Sequence, residues 1–158
     1  MILVSLGTQD KMFNRLLEEM ERLCKEKIVT DKVIVQSGYT EFSSHEMKIV
    51  DYFDQLEFEK LVQEADILIT HGGVGTIMKA LKYRKKVIGV PRLKEYGEHH
   101  NNHQREVLEE LEKKGCLIYA REIQELENAI GLVNQFQPND YPSNSADVIE
   151  VIRKFIQG

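Results

Sequence analysis

Six residues, His71-Gly72-Gly73-Val74-Gly75-Thr76, stand between an apolar run at 65–70 and the helical pattern Ile77-Met78-Lys79-Ala80-Leu81. A short β-rich run, a glycine turn and a helix start make an order that can hold an anion, most often phosphate. Glycine lets the backbone approach a ligand, and the free amides at a helix N-terminus carry the positive end of its dipole. The same glycines also serve close strand–helix packing, so on this stretch alone both readings stand. A second set is Glu98-His99-His100-Asn101-Asn102-His103-Gln104. Three chemistries suit it. His99 and His103 stand four apart and would share a helix face as metal ligands if a helix began early enough, although no Cys or second carboxylate lies nearby. Asn101 or Asn102 would cap the free amides of a polar helix start. Asn, His and Gln also supply the donors and acceptors that sugar hydroxyls need.

The elements that must position these groups alternate. Strand-like runs fall at 2–6, 32–36, 47–50, 67–70, 86–90 and 116–119. Phe13, Leu16, Leu17, Met20, Leu23 and Cys24 repeat at helical spacing, and helical patterns recur at 56–63, 101–114 and 122–134. After a turn-rich connector at 138–145, Val148, Ile149, Ile152, Phe155 and Ile156 form the stripe of a last helix. The alternation predicts an α/β fold: a Rossmann-like, doubly wound, mainly parallel sheet of about six strands. Such sheets bind ligands beyond the carboxyl ends of their strands, so the loops after Leu6, Gln36, Thr70 and Val90 should share one rim. That common rim favours the sugar-recognising reading of the second set.

A length of 158 residues suits one domain spanning 1–158. With 42% hydrophobic and 30% charged residues the composition is that of a globular protein, and a net charge of −5 disfavours a nucleic-acid partner. The basic run Lys82-Tyr83-Arg84-Lys85-Lys86 reads first as a solvated helix end and second as a phosphate or headgroup contact. Cys24 and Cys116 read as buried thiols of a reducing compartment. The opening apolar run is too short for a signal peptide, and no run nears the ~20 residues of a membrane span; a cytoplasmic location follows as the expectation. The dinucleotide fingerprint, the Walker pattern and the nucleophile elbow are all missing, and Gly7-Thr8-Gln9 stands where a phosphoacceptor domain would carry acids.

Taken together, Gly7-Thr8, Phe13-Asn14-Arg15-Leu16, the 71–76 loop, Val90-Pro91-Arg92, Glu98-His99 and His103-Gln104 form an ordered set over about residues 1–130. This set resembles the catalytic, donor-binding half of split, two-subunit GT-B glycosyltransferases, of the glycosyltransferase family 28 C-terminal domain type. That group includes bacterial capsule and exopolysaccharide transferase subunits and the small subunit of the eukaryotic dolichol-linked GlcNAc transferase. The Pro91-Arg92 and Glu98-His99 version looks closest to the bacterial branch.

The resemblance implies one half of a GT-B fold that transfers a hexose or N-acetylhexosamine from a UDP-sugar to a lipid-linked saccharide. A membrane-anchored, acceptor-binding subunit would complete the heterodimer and hold the chain at the inner face of the membrane. No cofactor or metal is implied beyond the UDP-sugar substrate. Gly72, Gly73, Gly75 and Thr76 would cradle the diphosphate, with His71 beside the phosphates or sugar, Gly38 bordering the uracil or ribose, and Gly7 and Thr8 also in the substrate site. His103 and Gln104, with Asn102, would read sugar hydroxyls, Pro91, Arg92 and Glu98 would also belong to the substrate site, and His99 is the nominee for a catalytic base. Three positions depart from the family pattern: Lys79 stands where an acidic residue would hold ribose hydroxyls, Asn101-Asn102 where Asp precedes His-Gln, and Gln9 where His is frequent. A non-catalytic nucleotide-sugar-binding subunit and a nucleotide-sugar epimerase are the competing classes.

Overall fold

The computed structural model describes residues 1–138 and Arg153. The expected last helix and most of its connector lie outside the described residues. Six strands form one sheet: β1 (Ile2–Ser5), β2 (Val33–Gln36), β3 (Lys48–Val50), β4 (Ile67–Thr70), β5 (Lys86–Gly89) and β6 (Ile118–Tyr119). Their order is β3-β2-β1-β4-β5-β6 and every pairing is parallel. The helices are α1 (Asn14–Lys25), α2 (Gln55–Glu64), α3 (Val74–Lys82), α4 (His103–Lys113) and α5 (Glu125–Val133). A doubly wound sheet was expected and is present; β4 has the expected bounds, and the other five strands run shorter by a residue or two than the apolar runs that announced them.

A sheet covered on both faces needs strands that are apolar throughout, and period-two alternation then deals the residues to opposite sides. Ile2, Val4, Val33, Val35, Ile67 and Ile69 face α1 and α5, where Leu16, Leu17, Met20, Leu23 and Val133 close the layer. Leu3, Ile34, Leu68 and Val87 face α2, α3 and α4, against Phe58, Val62, Ile77, Ala80, Leu108 and Leu111. Burying one such side chain fully contributes about 1.5–3 kcal/mol. Both cysteines are buried and unpaired, and burial raises the pKa of each thiol. Among the described residues no helix is long and apolar enough to cross a membrane.

Several boundaries have local causes. Asp54 caps α2 by accepting from the Glu57 amide at 2.8 Å. The stretch after Pro91, expected as a plain polar loop, contains a single 3-10 turn at Lys94–Tyr96, closed by Gly97 in the left-handed region (φ +69).

Candidate functional site

The strand order switches sides between β1 and β4, which run parallel and pair Ser5 with Thr70 at their carboxyl ends. The crevice outside this pair is where a doubly wound sheet accepts a ligand. Gly7-Thr8 and the 71–76 loop both open onto it.

The glycines divide by role. Gly7 (φ +78) and Gly72 (φ +95) adopt backbone that other residues avoid. A side chain at Gly7 or at Gly73 would run into the His71 ring, whose Cε1 lies 2.6 Å from either Cβ position. One at Gly72 would meet Gln104 Cβ at 2.9 Å. Gly38 (φ +57) backs the same loop, since its Cβ would lie 2.6 Å from the Gly7 carbonyl oxygen. These glycines permit close packing. Gly75 is different: it is exposed in the first turn of α3, with open space where a Cβ would point. The N-cap of that helix is Gly73, which offers no side chain, and its first turn holds no acidic residue. Its leading amides are therefore presented beside an electrostatically unanswered positive helix end.

His71 is 5% exposed and its Nδ1 has no hydrogen-bond partner. Burial first, and the Arg92 charge second, lower its pKa from 6.5 to about 3, against an opposing contribution from the Gln104 side chain. The ring is neutral at physiological pH. Ser5 Oγ and Thr70 Oγ1 are likewise buried without partners. The strand ends at the crevice thus keep polar atoms with unused hydrogen-bonding capacity.

Beside the loop lies an open cleft of about 340 Å³. Thr8, Gly75 and Thr76 form one wall, and Gln36, Tyr52, Phe53 and Phe58 another, with Lys79 and Gln55 alongside. The Gln36 side-chain Oε1 accepts from the Phe53 amide at 2.9 Å, which fixes the turn after β3. The Lys79 ammonium stands 5.6 Å from the centre of the Phe58 ring. Of the sequence candidates, Thr8, Gly75 and Thr76 meet here. The glutamines and aromatics were missed as site residues; the signal available for them was the pair Tyr52-Phe53 directly after a strand on the ligand rim.

The second set requires corrections. Arg92 was expected to read a ligand, but it is fully buried and its guanidinium is committed to backbone. Nε and Nη2 donate to the Leu6 carbonyl at 3.1 and 2.6 Å, and Nη1 donates to the carbonyls of Lys11 and Glu98 at 2.7 and 3.0 Å. Burial pulls its pKa down to about 10 although the Glu98 charge opposes this. Glu98 is also structural: its carboxylate accepts from Arg15 Nε and Nη2 at 3.1 and 2.9 Å and from the Leu93 amide at 3.0 Å. Pro91 is buried and its carbonyl accepts from Arg15 Nη2 at 3.0 Å. Gln104 packs under Gly72 and accepts from the Arg92 amide at 3.1 Å. Asn102 ties the 3-10 turn, accepting from the Lys94 amide and donating to Glu95. These groups hold the rim together, and only His103 of this group is exposed.

His99 does not suit a base. It is buried, stacked on His100 at 4.4 Å, and its Nδ1 accepts from the Asn101 amide at 3.2 Å. That bond leaves the proton on Nε2, so the neutral ring offers a donor where a base needs a lone pair. Burial, then the charges of His100 and Arg92, lower its pKa. The metal reading of His99 and His103 loses its premise because α4 begins at His103, leaving His99 in the preceding loop. Asn102 stands at the N-cap of α4 without a side-chain cap bond, while Asn101, one position earlier, accepts from the His103 amide through Oδ1 at 3.0 Å.

Strand order, switch-point glycine loop and cleft define a Rossmann-like ligand-binding domain of the kind that forms one half of GT-B glycosyltransferases. The calicheamicin glycosyltransferase CalG4 shares this fold at a TM-score of 0.58 and 15% identity, over 99% of this chain and 36% of that one. The solution structure of ALG13 shares it at a TM-score of 0.62 and 14% identity, over 99% of this chain and 94% of that one. The chain belongs to the glycosyltransferase family 28 C-terminal domain family, which matches residues 1–157. A curated relative, the UDP-N-acetylglucosamine transferase subunit ALG13 of Debaryomyces hansenii, is 31% identical in an alignment of 129 residues that covers 72% of this chain. The matched region spans 55% of that relative's length.

Proposed function

We propose that the chain is the donor-binding catalytic subunit of a UDP-sugar-dependent glycosyltransferase. Gly75 carries the reading: it opens the first turn of α3 to a cleft at the switch point of a family 28 domain. Glycosyl transfer from a nucleotide sugar expels a diphosphate, and preorganised amides at a helix N-terminus stabilise the charge that develops there. The Thr8 and Thr76 hydroxyls would add donors to the phosphates, and the cleft between Gln36, Tyr52 and Phe58 would take the nucleoside. The donor's sugar is a hexose or N-acetylhexosamine; the relative's name favours N-acetylglucosamine.

A GT-B enzyme needs two facing α/β domains, and this chain supplies one six-stranded sheet among its described residues. The reading includes a membrane-anchored partner subunit, a lipid-linked saccharide acceptor and a place on the cytoplasmic face of the membrane. The relative being itself a subunit of a transferase supports this arrangement. Capsule or exopolysaccharide assembly is the context suggested by the sequence motifs. Calorimetry of UDP, UDP-N-acetylglucosamine and UDP-glucose against the chain tests the donor half. A transfer assay with and without the partner tests the whole: UDP binding with no transfer in the presence of the partner would leave a nucleotide-sugar-binding regulatory subunit.

A further inference from the structure

A second cleft, of about 510 Å³, lies along the loop that follows β1. Thr8 lines the first cleft, and Asp10, two residues further along the same loop, lines the second. Its walls come from three loops of the ligand rim: the turn into α1, Tyr39 after β2 and Tyr96 in the 3-10 turn after β5. Met12, Tyr39 and Tyr96 are 41, 58 and 58% exposed, so large apolar surface gathers at one place on the rim.

Tyr96 is held ready. One face of its ring lies 4.9 Å from the Arg15 guanidinium. Arg15 in turn is fixed by two hydrogen bonds to Glu98 and one to the Pro91 carbonyl. The residue is 58% exposed, and a ring positioned in advance loses little freedom on binding. With Arg15 neutralised by Glu98, the remaining side chains mix signs: Asp10 and Glu18 against Lys11, with Asn14, whose Nδ2 donates to the Glu41 carbonyl at 3.3 Å, keeping its Oδ1 as an acceptor. Two free carboxylates disfavour an anionic ligand. Apolar ring faces beside mixed donors and acceptors match a pyranose, which presents a C–H face and a rim of hydroxyls.

We infer that this second cleft is a neutral-saccharide subsite with Tyr96 as its stacking platform, so that this chain itself holds part of the acceptor glycan. Naming that glycan the acceptor rests on the transferase reading; saccharide binding at Tyr96 does not. The test titrates the full chain, labelled with nitrogen-15, with cellobiose and with N,N′-diacetylchitobiose, while UDP binding is followed separately by calorimetry. Saturable shifts should appear at the amides of residues 10–18 and 95–98 with at least one disaccharide. Tyr96→Ala and Tyr39→Ala should each lose or weaken them, Tyr96→Phe should keep them, and all three variants should bind UDP like the parent. Absence of saturable shifts with both sugars overturns the inference. So does a Tyr96→Ala variant that binds sugar normally, a Tyr96→Phe variant that loses binding, or shifts in this cleft produced only by a partner protein. Disaccharide binding without UDP binding would overturn the donor reading and leave the subsite standing.

Discussion

The His71 imidazole lies in the space left by the missing side chain of Gly7, across the crevice between β1 and β4. The first glycine of the chain and the histidine that opens the mid-chain loop are therefore one packing unit. Gly7→Ala would have to displace that ring and hold alanine at φ +78. A loss of about 1–3 kcal/mol in urea unfolding is expected, together with weaker UDP binding. An unchanged unfolding midpoint would show that the ring can move aside freely.

Gly75 should behave in the opposite way. It sits in the first turn of α3 with no neighbour to clash, so alanine there gains helix propensity, about 0.5–1 kcal/mol. Its methyl group would also stand in the cleft beside Thr76. Gly75→Ala should raise stability while lowering UDP affinity, read by denaturation and calorimetry on the same sample. Stability and affinity rising together would remove Gly75 from the ligand path.

Arg92 joins the end of β1 to the loop after β5 through carbonyls of Leu6, Lys11 and Glu98. Arg92→Met strands those acceptors and removes a buried positive charge beside Glu98, a loss of about 3–5 kcal/mol. Arg92→Lys should recover little, because one ammonium lacks the planar fork that serves all three carbonyls. Full rescue by lysine in equilibrium unfolding would contradict the assignment of this residue to scaffolding.

The sheet and the glycine loop were legible because their signals are local: apolar runs of strand length, and glycines between a strand and a helix. The role of each glycine was not. Gly72 and Gly73 answer to Gln104 and His71, and Gly7 to a ring 64 positions away in the chain, contacts that no spacing rule reports. Arg92 and Glu98 misled for the same reason. Charged residues on a ligand rim read as ligand-facing, and only the packed structure reveals that three carbonyls, on the loops after β1 and β5, consume the guanidinium. Lys79 stood out as a departure from the family pattern, and its side chain does line the cleft.

The depressed pKa of His71 has a sign that can be checked. Its folded value, about 3, lies below the 6.5 of an unhindered imidazole, so the unfolded chain binds the proton first as pH falls. The stability tied to the neutral ring is fully present above pH 6.5 and is lost progressively down to about pH 3. His99, also lowered, contributes in the same direction. Asp66 and Glu59 have lowered pKa values as well, but they act below the usual carboxylate range. Urea unfolding between pH 7 and 4.5 should show stability falling with pH, and His71→Gln should flatten that limb. Equal slopes in the two proteins would mean the ring takes up its proton without penalty.

Lys79 offers the sharpest test of the donor cleft. Side chains on a helix lean toward its N-terminus, so the stem of Lys79 runs back toward Gly75 and Thr76, one turn earlier on the same face. A cation there adds to the positive end of α3, in whose first turn no acid answers it. Glu59, the carboxylate that senses this charge, already accepts a hydrogen bond from the Tyr83 hydroxyl at 2.5 Å. A bound diphosphate would satisfy both the ammonium and the helix end. Lys79→Met should weaken UDP about tenfold, on the order of 1.4 kcal/mol, and make its binding less sensitive to salt. Uridine, which lacks the phosphates, should bind both proteins alike. Lys79→Glu should weaken UDP further if the ammonium serves the phosphates, but should improve uridine binding if the position serves ribose hydroxyls. A Lys79→Met variant with the parent's UDP affinity and salt slope would place the phosphates elsewhere on the rim.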